Sequence, residues 1–339
     1  MKKVLCFGEL LLRMSPQLHG KWMHDNVMSV YVGGAELNVA TALTKWELPV
    51  GYCTALPHNY LATEIVEELK QKKIDTSSIH FGGERIGLYY LPQGADLKHA
   101  GVIYDRAYSS FGELTTGVID WDTVLNDVSW FHFSAISPAL SRRAADVCKE
   151  ALEVAHKKGI FISVDLNYRS KLWQYGEKPV SVMRELVEYC DMVMGNIWAA
   201  NTLLGIEIDH DIHQKGTKEA YLAHAEKTSK AIEETFHKCH TVANTFRFDN
   251  GEEGIRYYTT LFTNKAQHFS AEYVADSITD KVGSGDCFMA GLIYGLYHKH
   301  PPQEVIDFAT AAAFGKLSET GDATNQTIED VRQKIIHHG

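Results

Sequence analysis

The residues most able to do chemistry are Asp280-Lys281-Val282-Gly283-Ser284-Gly285-Asp286 and the helical run that follows them. Two glycines let the backbone turn with its N–H groups facing one way, and a helix starting there adds the positive end of its dipole, which makes a seat for an anion. Asp286 in the first turn would face a nucleophile approaching that anion, the arrangement phosphoryl transfer requires, with Gly283, Ser284 and Gly285 as its partners. Met289, Leu292, Ile293 and Leu296 recur at i, i+3, i+4 and i+7 and predict the helix. An ordinary loop ending in a helix cap is the plainer alternative. A second cluster, Gly33-Gly34-Ala35-Glu36-Leu37-Asn38, joins a flexible turn to a polar side chain just inside a helix marked by Val39, Ala42, Leu43 and Trp46. Asn38 can donate to and accept from a hydroxylated ligand, or it can simply stand in the first turn of a helix.

The elements that must position these residues alternate. Val4–Gly8, Val128–Ser134, Ile160–Asp165 and Asp191–Asn196 have strand composition, while Ala144–Lys158 and Pro179–Tyr189 read as helices. That rhythm predicts an α/β fold with a mostly parallel central sheet and helices on both faces, whose ligands collect beyond the carboxyl ends of the strands. Leu10–Val32 and Glu84–Phe111 break the rhythm. They are rich in aromatic and β-branched residues with Gly and Pro punctuation, and predict antiparallel strands in a small β-sheet lid, with residues 1–9, 34–83 and 112–339 forming the core and 10–33 and 84–111 the lid. A few-stranded sheet needs something packed on it, so the lid is also expected to clasp a second copy as a homodimer or higher homo-oligomer. Ile206–Lys238 reads as a solvated amphipathic helix.

With 339 residues, 45% of them hydrophobic, the chain can bury a sizeable core. A formal net charge of −10 without any Lys/Arg run argues against nucleic acid or an anionic membrane surface as partner and for a small molecule. No stretch approaches the roughly 20 apolar residues that cross a bilayer. Six scattered cysteines without a Cys-x-x-Cys pair suit reduced thiols, hence a soluble cytoplasmic protein, and none of the 17 histidines forms a helical i, i+4 metal pair with a nearby acid.

Together, Gly33-Gly34-x-x-x-Asn38 and Asp280-x-x-Gly283-x-Gly285-Asp286 resemble the two signatures of the ribokinase-like (PfkB-type) carbohydrate kinases, in matching order and separation. The resemblance implies transfer of the γ-phosphate of ATP to a sugar hydroxyl, with Mg²⁺, an α/β core and a β-sheet lid. It makes Asp286 the general base and the Gly283–Asp286 backbone the anion hole, and the chemistry of a carboxylate beside an N–H array agrees. The resemblance also implies nucleotide contacts at Gly251, Gly254, Gly283, Gly285, Ala312 and Asn325. The family usually has Asn-x-x-Glu at the end of a middle strand, its Glu organising Mg²⁺, whereas this chain has Asn196-Ile197-Trp198-Ala199. The metal ligands are therefore left unassigned.

Gly87-Leu88-Tyr89-Tyr90, Tyr104-Asp105-Arg106 and Asp165-Leu166-Asn167-Tyr168-Arg169 resemble the branch acting on 2-keto-3-deoxygluconate. Two arginines in one pocket suit a sugar acid, whose carboxylate Arg106 and Arg169 would hold. Gly33, Gly34, Asn38, Tyr89, Tyr90, Tyr104, Asp165 and Asn167 complete the expected substrate site. The alternatives are a neutral-sugar kinase such as a fructokinase, with Arg106 paired to Asp105 or Glu84 and Arg169 to Asp165, and a catalytically weak sugar- or nucleotide-binding protein.

Overall fold

A computed structural model describes residues 2–16, 22–23, 27–92 and 101–338. The chain runs from β1 (Lys3–Phe7) through Gly8 and Glu9 into β2 (Leu11–Ser15) and β3 (Ser29–Gly33), then enters α1 (Ala35–Lys45). β4 (Val50–Cys53), β5 (Ala55–Leu56), α2 (Tyr60–Gln71) and β6 (His80–Phe81) precede β7 (Gly87–Tyr90) and β8 (Ile103–Asp105). α3 (Trp121–Val124), β9 (Val128–Ser134), α4 (Arg142–Lys157), β10 (Phe161–Asp165), α5 (Pro179–Val187) and β11 (Met192–Gly195) carry the strand–helix alternation. α6 (Ile197–Leu204), α7 (Ile212–Lys215) and α8 (Lys218–Thr235) lead to β12 (Thr241–Asn250), β13 (Gly254–Thr263), β14 (Ala266–Phe269) and β15 (Tyr273–Ala275). α9 (Ser284–Tyr297), α10 (Pro302–Lys316) and α11 (Ile328–His338) close the chain.

The central sheet has the order β14-β13-β12-β11-β10-β9-β1-β4, with β15 on β13. β4, β1, β9, β10, β11 and β12 run parallel, as the sequence predicts, and β13 turns the sheet antiparallel at one edge. Its parallel strands are buried because helices cover both faces: Val4–Phe7, Phe131–Ser134 and Ile162–Asp165 are mostly apolar, and the polar exceptions, His132, Ser134, Ser163 and Asp165, are buried with them. Two large apolar clusters lie on either side, one under α1, α9 and α10 and the other under α4 and α5. The stripe of α9 is buried through Ile293, with Leu296 half-buried at its end.

The small sheet has the order β3-β2-β7-β8. It is mixed rather than antiparallel, because β2 and β7 pair in parallel while the outer pairs are antiparallel. The two lid segments enter from separate places in the chain, so the pairing across the middle is free of hairpin geometry. The expected helix over 206–238 is two helices, α7 and α8, separated by left-handed Gly216, with Ile206–Asp211 outside them.

Candidate active site

The carboxyl end of β10, the β11–α6 connection, the heads of α1 and α9, and the inner face of the small sheet enclose a cavity of about 550 Å³. Gly34 (φ +137°) caps α1 and Gly283 (φ +78°) caps α9. A Cβ on Gly34 would lie 2.4 Å from the Glu9 carbonyl oxygen, and one on Gly283 would lie 1.8 Å from that of Asp322, so both turns require glycine. Gly285 differs: a Cβ there meets no atom within 4 Å, and the first turn of α9 presents its backbone to open cavity. Unpaired N–H groups and the helix dipole make that turn a fitting seat for a phosphoryl group. Ser284 contributes only backbone to this seat, since its hydroxyl donates to the Ala313 carbonyl at 3.1 Å.

Asp286 is buried at the head of α9 and accepts a hydrogen bond from Asn38 Nδ2 at 2.7 Å. The two sequence signatures therefore meet directly. Burial pushes the Asp286 carboxyl up to about 7, while Asn38 and then Arg169 oppose the rise. Asp165, at the end of β10, is pushed up to about 8 by burial and then by the Asp286 charge, again opposed by Arg169. Its Oδ1 accepts from the Asn167 N–H at 3.0 Å. Arg169 donates to the Tyr168 carbonyl at 3.2 Å and lines the cavity half-buried. The pairing alternative of Arg169 with Asp165 appears as an electrostatic influence, with no hydrogen bond between them in the structure.

Tyr89 and Tyr104 face each other across β7 and β8 and both line the cavity. Tyr90 does not. Adjacent strand residues point to opposite faces, and Tyr90 lies on the other side of the sheet with its ring 6.0 Å from that of Trp22. Arg106 also lines the cavity, but its partner is neither Asp105 nor Glu84. Arg106 Nε donates to Glu9 Oε2 at 2.6 Å in a buried ion pair, while Arg85 takes Asp105 at 2.9 Å. Gly87 leaves the room Glu9 needs, since a Cβ there would lie 2.5 Å from Glu9 Oε1.

Gly33 is buried against Asp322, outside the cavity wall. Gly251 and Gly254 flank the β12–β13 hairpin turn, also outside it. Ala312 is buried in α10, where its carbonyl accepts from Cys287 Sγ and Gln326 Nε2, and Asn325 is exposed with its N–H on Glu319. Several polar residues of the site lie outside the two motifs or carry no expected role in them. Glu9 orients Arg106. Glu36 sits inside the first motif and accepts from the Ser134 N–H (2.9 Å) and hydroxyl (2.7 Å), fixing the head of α1 against β9. Arg247, Tyr257 and Lys281 also line the cavity. A charged residue inside an apolar run, such as Glu36 between Ala35 and Leu37, is the signal that marks a buried role.

Among the described residues no group of three His, Cys, Asp or Glu is placed to hold a metal ion, and Asn196 is committed to capping α6 through the Ala199 N–H at 2.8 Å. All six cysteines are free and buried. No helix among the described residues is long and apolar enough to cross a membrane.

A sequence profile described as pfkB family carbohydrate kinase matches residues 1–329. The chain is 24% identical to 2-dehydro-3-deoxygalactonokinase of Haloferax volcanii, over 99% of this chain and 97% of that one. The crystal structure of 2-dehydro-3-deoxygluconokinase from Thermotoga maritima superposes with a TM-score of 0.90 at 34% identity, covering 99% of this chain and all of that one. A ribokinase II from E. coli, described as putative and solved in complex with ATP and Mg²⁺, shares the fold at a TM-score of 0.77 and 17% identity over the full length of both chains.

Proposed function

Because the chain belongs to the pfkB family of carbohydrate kinases, we propose that this sugar kinase transfers the γ-phosphoryl group of ATP to a hydroxyl of a 2-keto-3-deoxy sugar acid. The first substrate is 2-keto-3-deoxygluconate, giving its 6-phosphate, and Asp286 is the general base. The observation that carries this reading is one carboxylate, buried and held at 2.7 Å by Asn38, at the mouth of a glycine turn whose backbone opens onto the cavity. In the step, Asp286 takes the proton of the sugar hydroxyl as its oxygen bonds to the γ-phosphorus. The bond from that phosphorus to the β–γ bridging oxygen breaks, and ADP leaves with the electron pair. A carboxyl raised to about 7 holds a proton more readily than an ordinary carboxylate and is still ionised for a large part near neutrality. The N–H groups of the Gly283–Asp286 turn face the charge on the transferring group.

Mg²⁺ is supported by family use, and as a hard cation it would be held chiefly by phosphate oxygens and water rather than by a protein cage. Arg169 is the main reader of the substrate carboxylate, with Tyr89, Tyr104 and Asn167 on its hydroxyls. A neutral-sugar kinase is the second reading. It draws on Glu9, which already balances the charge of Arg106. Reduced, buried thiols suit the cytoplasm, and the small sheet is the proposed contact with a second copy.

Asp286→Asn tests the base while keeping the shape of the site. The expected result is a 10²–10⁴-fold loss of kcat with KM values within about threefold. A rate near the parent's would remove Asp286 from that role.

A further inference from the structure

The two glycine turns share a neighbour that lies in neither signature. A Cβ on Gly33 would be 2.2 Å from Asp322 Oδ2, and one on Gly283 would be 1.8 Å from the Asp322 carbonyl oxygen, so both turns are built against Asp322. Its carboxylate is held from the small sheet: the Tyr89 hydroxyl donates to Oδ2 at 2.6 Å, and Arg13 Nε lies 2.8 Å from Oδ1. The same guanidinium donates through Nη2 to Asp280 Oδ2 at 2.9 Å. Asp280 Oδ1 in turn accepts from the Val282 N–H at 3.1 Å, one residue before the cap of α9. The Tyr31 ring covers the guanidinium at 4.5 Å, and the buried ammonium of Lys316, on the Glu319 carbonyl at 3.3 Å, adds a second cation facing Asp280 and Asp322. Arg13 and Asp280 are fully buried, and neither lines the cavity.

An ion cluster of this kind is not explained by stability, since well-packed apolar side chains often serve as well in a core. What it adds is geometry. A planar guanidinium reaches two carboxylates at fixed angles, which an ammonium cannot.

We propose that Arg13 is a positioning residue for phosphoryl transfer, acting through Asp280 and Asp322 to hold the Val282–Gly285 backbone where its N–H groups meet the transferring phosphoryl group. The inference rests on the kinase reading above. It assigns a role in the chemical step to a residue of the small sheet that does not line the cavity.

The test compares Arg13→Met and Arg13→Lys with the parent by kcat, by KM for ATP and sugar, by melting temperature and by amide hydrogen exchange. Arg13→Met is expected to lose at least about tenfold in kcat with both KM values within about threefold. Exchange at Val282 and Cys287, whose N–H groups are bonded to Asp280 Oδ1 and to the Gly283 carbonyl, should accelerate at least about tenfold while the central strands keep their protection. Arg13→Lys, which keeps the charge and loses the fork, should recover melting temperature but not kcat. If Arg13→Lys matches the parent's kcat, or if exchange in Arg13→Met rises uniformly through the molecule, Arg13 only balances charge and the proposal fails. Should Arg13→Met not fold, Arg13→Lys decides by the same criteria. A parent that phosphorylates no acceptor defeats the kinase reading, while the exchange measurement still decides whether Arg13 holds the turn.

Discussion

Single side chains here carry more than one duty. Burial raises the Asp286 carboxyl, which would suit it to the proposed role of base, and Asn38 keeps it from rising further by donating to the ionised form. A base must be ionised to act, so kcat/KM should fall as pH drops through about 7, well above the range of an ordinary carboxylate. Asn38→Ala removes a bond that favours the carboxylate and should move that acidic limb to higher pH. A limb near 4 in the parent, or one moving down in the variant, would show that burial does not set the protonation of Asp286. Arg106 teaches a related lesson. Its type suggests a carboxylate reader, but Glu9 reaches it first, across a separation in sequence that no local pattern reveals.

At the level of elements, the glycines of one turn have opposite functions. Gly283 is confined by the Asp322 carbonyl and a left-handed backbone, whereas Gly285 is helical with open cavity before it. Gly283→Ala should lower the melting temperature sharply or prevent folding, since a Cβ has no space. Gly285→Ala should leave the melting temperature within about 2 °C and still cut phosphoryl transfer, because its methyl fills the anion's place. Equal melting losses in the two variants would contradict this division. The parallel strands and the helices α4 and α9 were legible because burial on one or both faces writes a period into the sequence. Tyr89 beside Tyr90 also carried its answer, since strand alternation allows only one of them into the cavity. The parallel β2–β7 pairing and the ion cluster of Arg13, Asp280 and Asp322 were not legible. They depend on contacts between segments far apart in the chain, and neighbouring residues hold no trace of them.

For the molecule as a whole, the small sheet is the roof of the site and, among the described residues, exposes apolar side chains on its other face. Register aligns Val30, Met14, Tyr90 and Ile103 in one row on the face away from the cavity, with Val30 and Ile103 more than half exposed. We expect this row to meet its copy in a dimer. Sedimentation should give a dimeric mass for the parent and a monomeric one for Val30→Asp/Ile103→Asp; a parent that sediments as a monomer would refute the clasp. Chemistry at the cavity and identity of the acceptor then come together in one number, the ratio of kcat/KM for 2-keto-3-deoxygluconate to that for fructose in the same ATP-coupled assay. A carboxylate held by Arg169 predicts a ratio of at least about 10². A ratio of one or below would contradict the sugar-acid assignment.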